Sequence, residues 1–174
     1  MSQIAVKAVT SSNEALDRLT QFRKSIHDEI CEKAFRVFEQ KGRQTSNELE
    51  DWVEAEHAVL YYPPSELAET NDEIRIRAAV PGFSSRTMQV YVLPNSITVE
   101  GQIDTTTHSN DAKIHFSELT EKKLLRQFDL PAPIDPGRVK ATLEDGVLRI
   151  SAKKAAVTAS PIVVELKTEG RAAA

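Results

Sequence analysis

No proline occurs before position 63, and all eight lie from there onward (63, 64, 81, 94, 131, 133, 136 and 161). Of six glycines, only Gly42 precedes Pro63. Proline removes a backbone donor and clashes inside a helix, and proline and glycine together punctuate turns. The stretch before Pro63 is therefore free to be helical. The stretch after it is cut too often for helices and must be short strands and turns. Tyr61-Tyr62-Pro63-Pro64 marks the change, where a helix stops and the chain goes extended. Six of the ten aromatic residues (Phe22, Phe35, Phe38, Trp52, Tyr61, Tyr62) fall in the first part, so the β part must build its core mainly from Val, Ile, Leu and Ala.

At 174 residues the chain has room for one domain and a smaller piece. A net charge of −4 lacks the basic footprint of a nucleic-acid binder. The single cysteine, Cys31, cannot form an intrachain disulfide, so nothing asks for an oxidising compartment. Met1–Thr10 has no signal-peptide core, and no run of about 18 apolar residues could span a membrane. The expectation is a cytoplasmic protein with no membrane and no nucleic-acid partner.

In the first part, Ser25-Ile26-His27-Asp28 reads as a helix-capping box. Ile26, Ile30, Phe35 or Ala34, and Val37/Phe38 then follow at helical spacing, and Gly42 is placed to end that helix in a left-handed conformation. Thr45-Ser46-Asn47-Glu48 reads as a second capping box, opening a helix with Leu49, Trp52, Val53 and Leu60 on one face. The pair predicts a helical hairpin, too small to bury much surface alone, which must pack on something else or self-associate. Upstream, Ser12-Asn13 could cap a further helix carrying Leu16, Leu19 and Phe22. The segment 34–43 (A-F-R-V-F-E-Q-K-G-R) and the segment 49–56 (L-E-D-W-V-E-A-E) resemble a small bacterial domain of unknown function, DUF2934. That resemblance covers residues 25–60 and brings no known chemistry.

In the second part, Glu73–Val80, Met88–Val92, Ser96–Gly101, Lys122–Leu130, Val139–Leu143 and Leu148–Ala152 alternate apolar and polar residues. Pro81-Gly82, Pro94-Asn95, Pro131 and Asp145-Gly146 interrupt them as turns. This spacing predicts an antiparallel β-sandwich. Ala141-Thr142-Leu143-Glu144-Asp145-Gly146-Val147-Leu148 resembles the A-x-x-x-x-G-V-L signature of the α-crystallin domain of small heat-shock proteins. Its signature residues here are Ala141, Gly146, Val147 and Leu148. Ala79–Phe83 is similar to the family's D-[LV]-P-G-[FV] turn, with Ala79 in place of the acid. Arg126–Pro131 is similar to R-x-F-x-L-P, and Pro161-Ile162-Val163-Val164 to the C-terminal I-x-I/V anchor.

The resemblance covers residues 62–166. It implies a mainly β, immunoglobulin-like antiparallel sandwich preceded by a small α-helical hairpin. The domains expected are an arm at 1–24, the hairpin at 25–62, the α-crystallin domain at 63–155 and an extension at 156–174. It implies an ATP-independent chaperone that binds unfolding client proteins and assembles from dimers into homo-oligomers. It also implies that the anchor of one subunit enters a groove on another, here Met88, Val90 and Val92 facing Val139, Ala141 and Leu143. Proline favours an extended backbone, so Pro161–Leu166 suits the anchor. Ile162 with Val164 fits, and so does Val164 with Leu166. The long Gln102–Glu121 segment, with Ile114 and Phe116 in a short candidate strand, is either a strand-exchange loop of the dimer interface or a loose connection. Arg126 is either an interface arginine or a surface one.

No other chemistry stands out. His27, His57, His108 and His115 lack metal-ligand spacing, and no P-loop, G-x-G-x-x-G or G-x-S-x-G occurs, so no cofactor and no enzyme activity are expected. The acidic run Glu48-Leu49-Glu50-Asp51 suits the first turn of a helix. Trp52 reads as hairpin core rather than a client-binding residue. The competing function is an oligomeric adaptor whose hairpin recruits a specific protein partner.

Overall fold

The computed structural model describes residues 2–8, 13–42, 47–103, 115 and 120–156. The element order is β1 (Ser2–Gln3), β2 (Ala5–Ala8), α1 (Asn13–Gln40), α2 (Glu48–Val59), β3 (Ser65–Glu69), β4 (Glu73–Ala79), β5 (Met88–Leu93), β6 (Ser96–Gln102), β7 (Lys123–Asp129), β8 (Ile134–Glu144) and β9 (Val147–Lys154). They form two sheets, ordered β1-β8-β9-β4-β3 and β2-β5-β6-β7. Every ladder is antiparallel except β2 on β5, which is parallel.

Period-two alternation turns one row of each strand inward. Ile74, Ile76 and Ala78 of β4 and Leu148, Ile150 and Ala152 of β9 meet Met88, Val90 and Val92 of β5 and Ile97 and Val99 of β6. The core is aliphatic apart from Phe83 and Phe128, as the distribution of aromatics requires. Asp145 and Gly146 both have positive φ (50° and 71°), the geometry of a two-residue type I′ hairpin between β8 and β9. That turn is tied to the one after β4, because the Val80 N–H donates to the Gly146 carbonyl at 2.7 Å.

On the β2-β5-β6-β7 sheet the outward row is buried as well: Tyr91, Thr98 and Glu100 are all nearly inaccessible. The cover is α1. Its Ala15 and Leu19 seat on Tyr91, with Leu125 of β7 alongside. Further along α1, Ile26 and Ile30 pack on Ala55 and Val59 of α2, again beside Leu125. The hairpin therefore packs on the sandwich. Ionic and backbone ties reinforce the joint. Lys123 pairs with Glu29 at 2.7 Å, the Lys122 ammonium donates to the His57 carbonyl, and the Tyr61 N–H donates to the Lys123 carbonyl.

Several local expectations are corrected. Ser25 starts no helix, since α1 runs unbroken through it and the Ser25 hydroxyl donates to the Phe22 carbonyl one turn back. The upstream helix and the hairpin's first helix are one rod, because the inward row Ala15, Leu19, Phe22, Ile26, Ile30 keeps helical spacing throughout. The expected boundary between 24 and 25 thus falls inside a helix. Asn47, not Thr45, occupies the N-cap of α2, and Thr45 lies outside the described residues. The inward face of α2 is Asp51, Ala55 and Val59, while Leu49 and Val53 point to solvent. The physical reason is Lys41. Just past the end of α1, its ammonium draws the otherwise buried Asp51 carboxylate inward at 2.7 Å and also reaches Glu54. These hydrogen bonds hold the Lys41 ammonium above its usual pKa. Gly42 has φ +78° and closes α1 as expected. Trp52 is half-buried against the hairpin cluster, 5.5 Å from the His27 ring.

The Gly146→Ala protein is expected to lose about 1–2 kcal/mol in urea unfolding, since a side chain at positive φ is strained. Burial of Tyr91, and then its 2.7 Å hydrogen bond to Glu100, push the Tyr91 hydroxyl well above the ordinary value of 10.0. The stability tied to that raised value is complete below pH 10 and drains away as pH rises toward the folded value. Unfolding midpoints near pH 8 and about pH 11 should therefore separate further in the native chain than in Tyr91→Phe.

Candidate peptide-binding groove

Each sheet of a sandwich ends in strands whose outer N–H and C=O groups lack a neighbour. Here β5 and β8 lie on the same flank, one in each sheet, and leave an apolar cleft between their edges. Met88, Val90 and Val92 of β5 line it with Ala141 of β8, all fully buried, and Val139 and Leu143 pack half-buried against the same cluster. The six residues read as a groove from the sequence are thus brought together. Ala141 matters by its size: only a methyl group intervenes between the strand and whatever lies above it.

The cleft is filled by residues 2–8. Ser2 and Gln3 pair with Leu143 and Thr142 of β8. The segment then crosses between the sheets, and Ala5, Val6, Lys7 and Ala8 pair with Gln89, Val90, Tyr91 and Val92 of β5. Ile4 stands at the crossing. Its N–H donates to the Ala141 carbonyl at 3.1 Å, and its side chain is 4% exposed within the sandwich core. Val6 packs half-buried beside it. Sequence reasoning placed these residues in an arm and missed their role. The available signal was spacing, since Ile4-Ala5-Val6 has the same I-x-V form as Ile162-Val163-Val164.

The other expected site residues divide. Gly146 and Val147 make the hairpin turn, and Leu148 is wholly buried, so the signature residues build β8 and β9 and the groove floor. Arg126 is exposed on β7, with its guanidinium 5.7 Å from the centre of the Phe128 ring. Ile114, Phe116, Ile162, Val164 and Leu166 lie outside the described residues. Among the described residues no group of three His, Cys, Asp or Glu could hold a metal, and no helix is long and apolar enough to cross a membrane.

A sandwich whose edge groove accepts an extended apolar strand matches the family resemblance of the sequence. The family model for "Hsp20/alpha crystallin family" matches residues 66–167. The chain belongs to the Hsp20/alpha crystallin family. Among relatives of this family, small heat shock protein C4 of Rickettsia felis is 25% identical over 92 residues, covering 53% of this chain and 56% of that one. The 18.1 kDa class I heat shock protein of Oryza sativa is 31% identical over 87 residues, covering 49% and 54%. The chain thus spans somewhat over half the length of the curated relatives it matches. Among solved structures, heat shock protein 16.0 from Schizosaccharomyces pombe is similar with a TM-score of 0.48 and 22% identity, over 66% of this chain and 98% of that one.

Ala141→Leu puts three more carbons into the floor of this Hsp20-family groove. It is expected to cost about 1–3 kcal/mol by overpacking and to strip the Ile4 amide of hydrogen-exchange protection. Unchanged protection at Ile4 would show that the methyl-sized floor does not position the strand.

Proposed function

We propose that this chain is an ATP-independent holdase of the cytoplasm that binds unfolding proteins, prevents their aggregation, and assembles from dimers into larger homo-oligomers. The observation that carries the reading is the β5–β8 groove. It is an apolar cleft between two strand edges with a floor of Ala141, and the strand it holds, with Ile4 and Val6, shows a form suited to an extended I-x-V peptide. Residues 161–166 supply such a peptide, by Ile162 with Val164 or by Val164 with Leu166. Contacts of this size are weak singly and strong when repeated over an oligomer, which lets subunits part and expose apolar surface. Arg126 on β7, with the strand read at Ile114 and Phe116, is the proposed dimer interface.

The protein mixed with a heat-labile client at about one-to-one, without ATP, is expected to suppress light scattering on heating; no suppression at severalfold excess removes the holdase reading. Ile162→Ala with Val164→Ala is expected to lower the mass in size-exclusion light scattering, and an unchanged mass assigns the anchor to Leu166 or to no tail residue.

A second reading is favoured by the hairpin's outward surface, where Leu49 is 73% and Phe35 57% exposed. In an adaptor these side chains dock one specific partner, whereas in a holdase they serve many clients. Phe35→Ser with Leu49→Ser separates the two. A holdase loses suppression of two unrelated clients together, and an adaptor loses neither.

A further inference from the structure

We propose that residues 2–8 are a built-in plug of the β5–β8 groove, an intramolecular I-x-V strand that an incoming anchor peptide of another copy must displace. The inference rests on the reading of the groove as the anchor's receptor, and it adds the regulation of that site.

Three observations carry it. The plug uses the groove completely. It takes the backbone edge of β8 at Leu143 and Thr142, the Ala141 carbonyl, and the edge of β5 from Gln89 to Val92, so a second strand has no free edge there while the plug is seated. The plug also presents the same chemistry as the proposed anchor, with Ile4 and Val6 spaced as Ile162 and Val164. Finally, the plug is tethered. Only residues 9–12 separate Ala8 from α1, whose Ala15 and Leu19 are seated on Tyr91 beside the strand that the plug pairs with. Five residue steps reach about 17 Å at most, so an unseated plug stays near its site at high effective concentration.

The seat is also small enough to open. Ile4 is buried, Val6 is half-buried, and Ser2, Gln3 and Ala5 are exposed. A short strand with exposed residues flanking its buried Ile4 is drawn from the low-stability end of a fold, where local opening precedes global unfolding. A groove that is open a tenth of the time binds an outside peptide about tenfold more weakly than an empty one. Conditions that loosen the plug, such as heat, would then raise the affinity of the groove for neighbouring copies.

The test uses the full chain with Ile162→Ala and Val164→Ala, which removes its own anchor, and a fluorescein-labelled peptide of residues 159–168 read by anisotropy. Adding Ile4→Ser and Val6→Ser is expected to tighten peptide binding about tenfold or more. Equal binding with and without these changes overturns the plug while leaving the groove as the anchor's receptor. Absence of binding to either chain, both shown folded by circular dichroism, overturns the receptor reading and the plug with it. A second variant guards against misfolding of the first. Gln3 and Thr142 are direct cross-strand partners outside the groove lining, so Gln3→Cys with Thr142→Cys, in a Cys31→Ser background, locks the plug when oxidised. Oxidation is expected to abolish peptide binding and reduction to restore it. The same affinity in both redox states overturns the proposal.

Discussion

The burial of Tyr91 is the constraint on which the arrangement depends. A tyrosine on the outward face of a sheet needs both an apolar cover and an acceptor for its hydroxyl. Ala15 and Leu19 of α1 supply the cover, and Glu100 on the neighbouring strand supplies the acceptor at 2.7 Å. Once α1 lies there, its further turns carry α2 with them, since Ile26 and Ile30 continue the same inward row. Its first turn leaves residues 2–8 within reach of one flank of the sandwich only. The helices and the filled groove are therefore two results of one packing decision.

This decision also governs the open edges of the fold. Residues 2–8 cover the edges of β5 and β8, and Leu60 with Tyr61 bridges to Lys123 at the start of β7. Strand β3 keeps an edge, short and bearing Glu66 and Glu69, which pair with Arg77 and Lys154. Charged side chains on a short edge discourage uncontrolled pairing. A sandwich must resist edge-to-edge aggregation, and these three devices serve that need.

Much of this was legible before any coordinates. The strands from β4 to β9 follow from alternation and turn residues, because one face of each sheet meets a core and period two has no competitor there. That Met88, Val90 and Val92 would gather with Val139, Ala141 and Leu143 was legible because a family signature lies on β8. Four things escaped. β3, with Ser65-Glu66-Leu67-Ala68-Glu69, has little apolar content and is a strand chiefly through its ladder to β4. The unbroken α1 was hidden by Ser25, a good capping residue that tertiary packing overrides. The strands at residues 2–8 are too short for periodicity to detect, and only their partners on β5 and β8 define them. In α2, apolar Leu49 and Val53 suggested the wrong inward face, because a paired carboxylate at Asp51 outranked them.

The β8–β9 hairpin joins two properties that are usually separate. Ala141 opposes Ile150 and Leu143 opposes Leu148, a register set by the two left-handed residues Asp145 and Gly146. A slip of one residue would turn Ala141 away from the cleft and replace its methyl with a bulkier neighbour. Such a chain would still resemble a sandwich, yet it would have no seat for an I-x-V strand. In the proposed assembly, admission through this groove is thus a proofreading step, in which correct folding of the hairpin is itself the credential for joining.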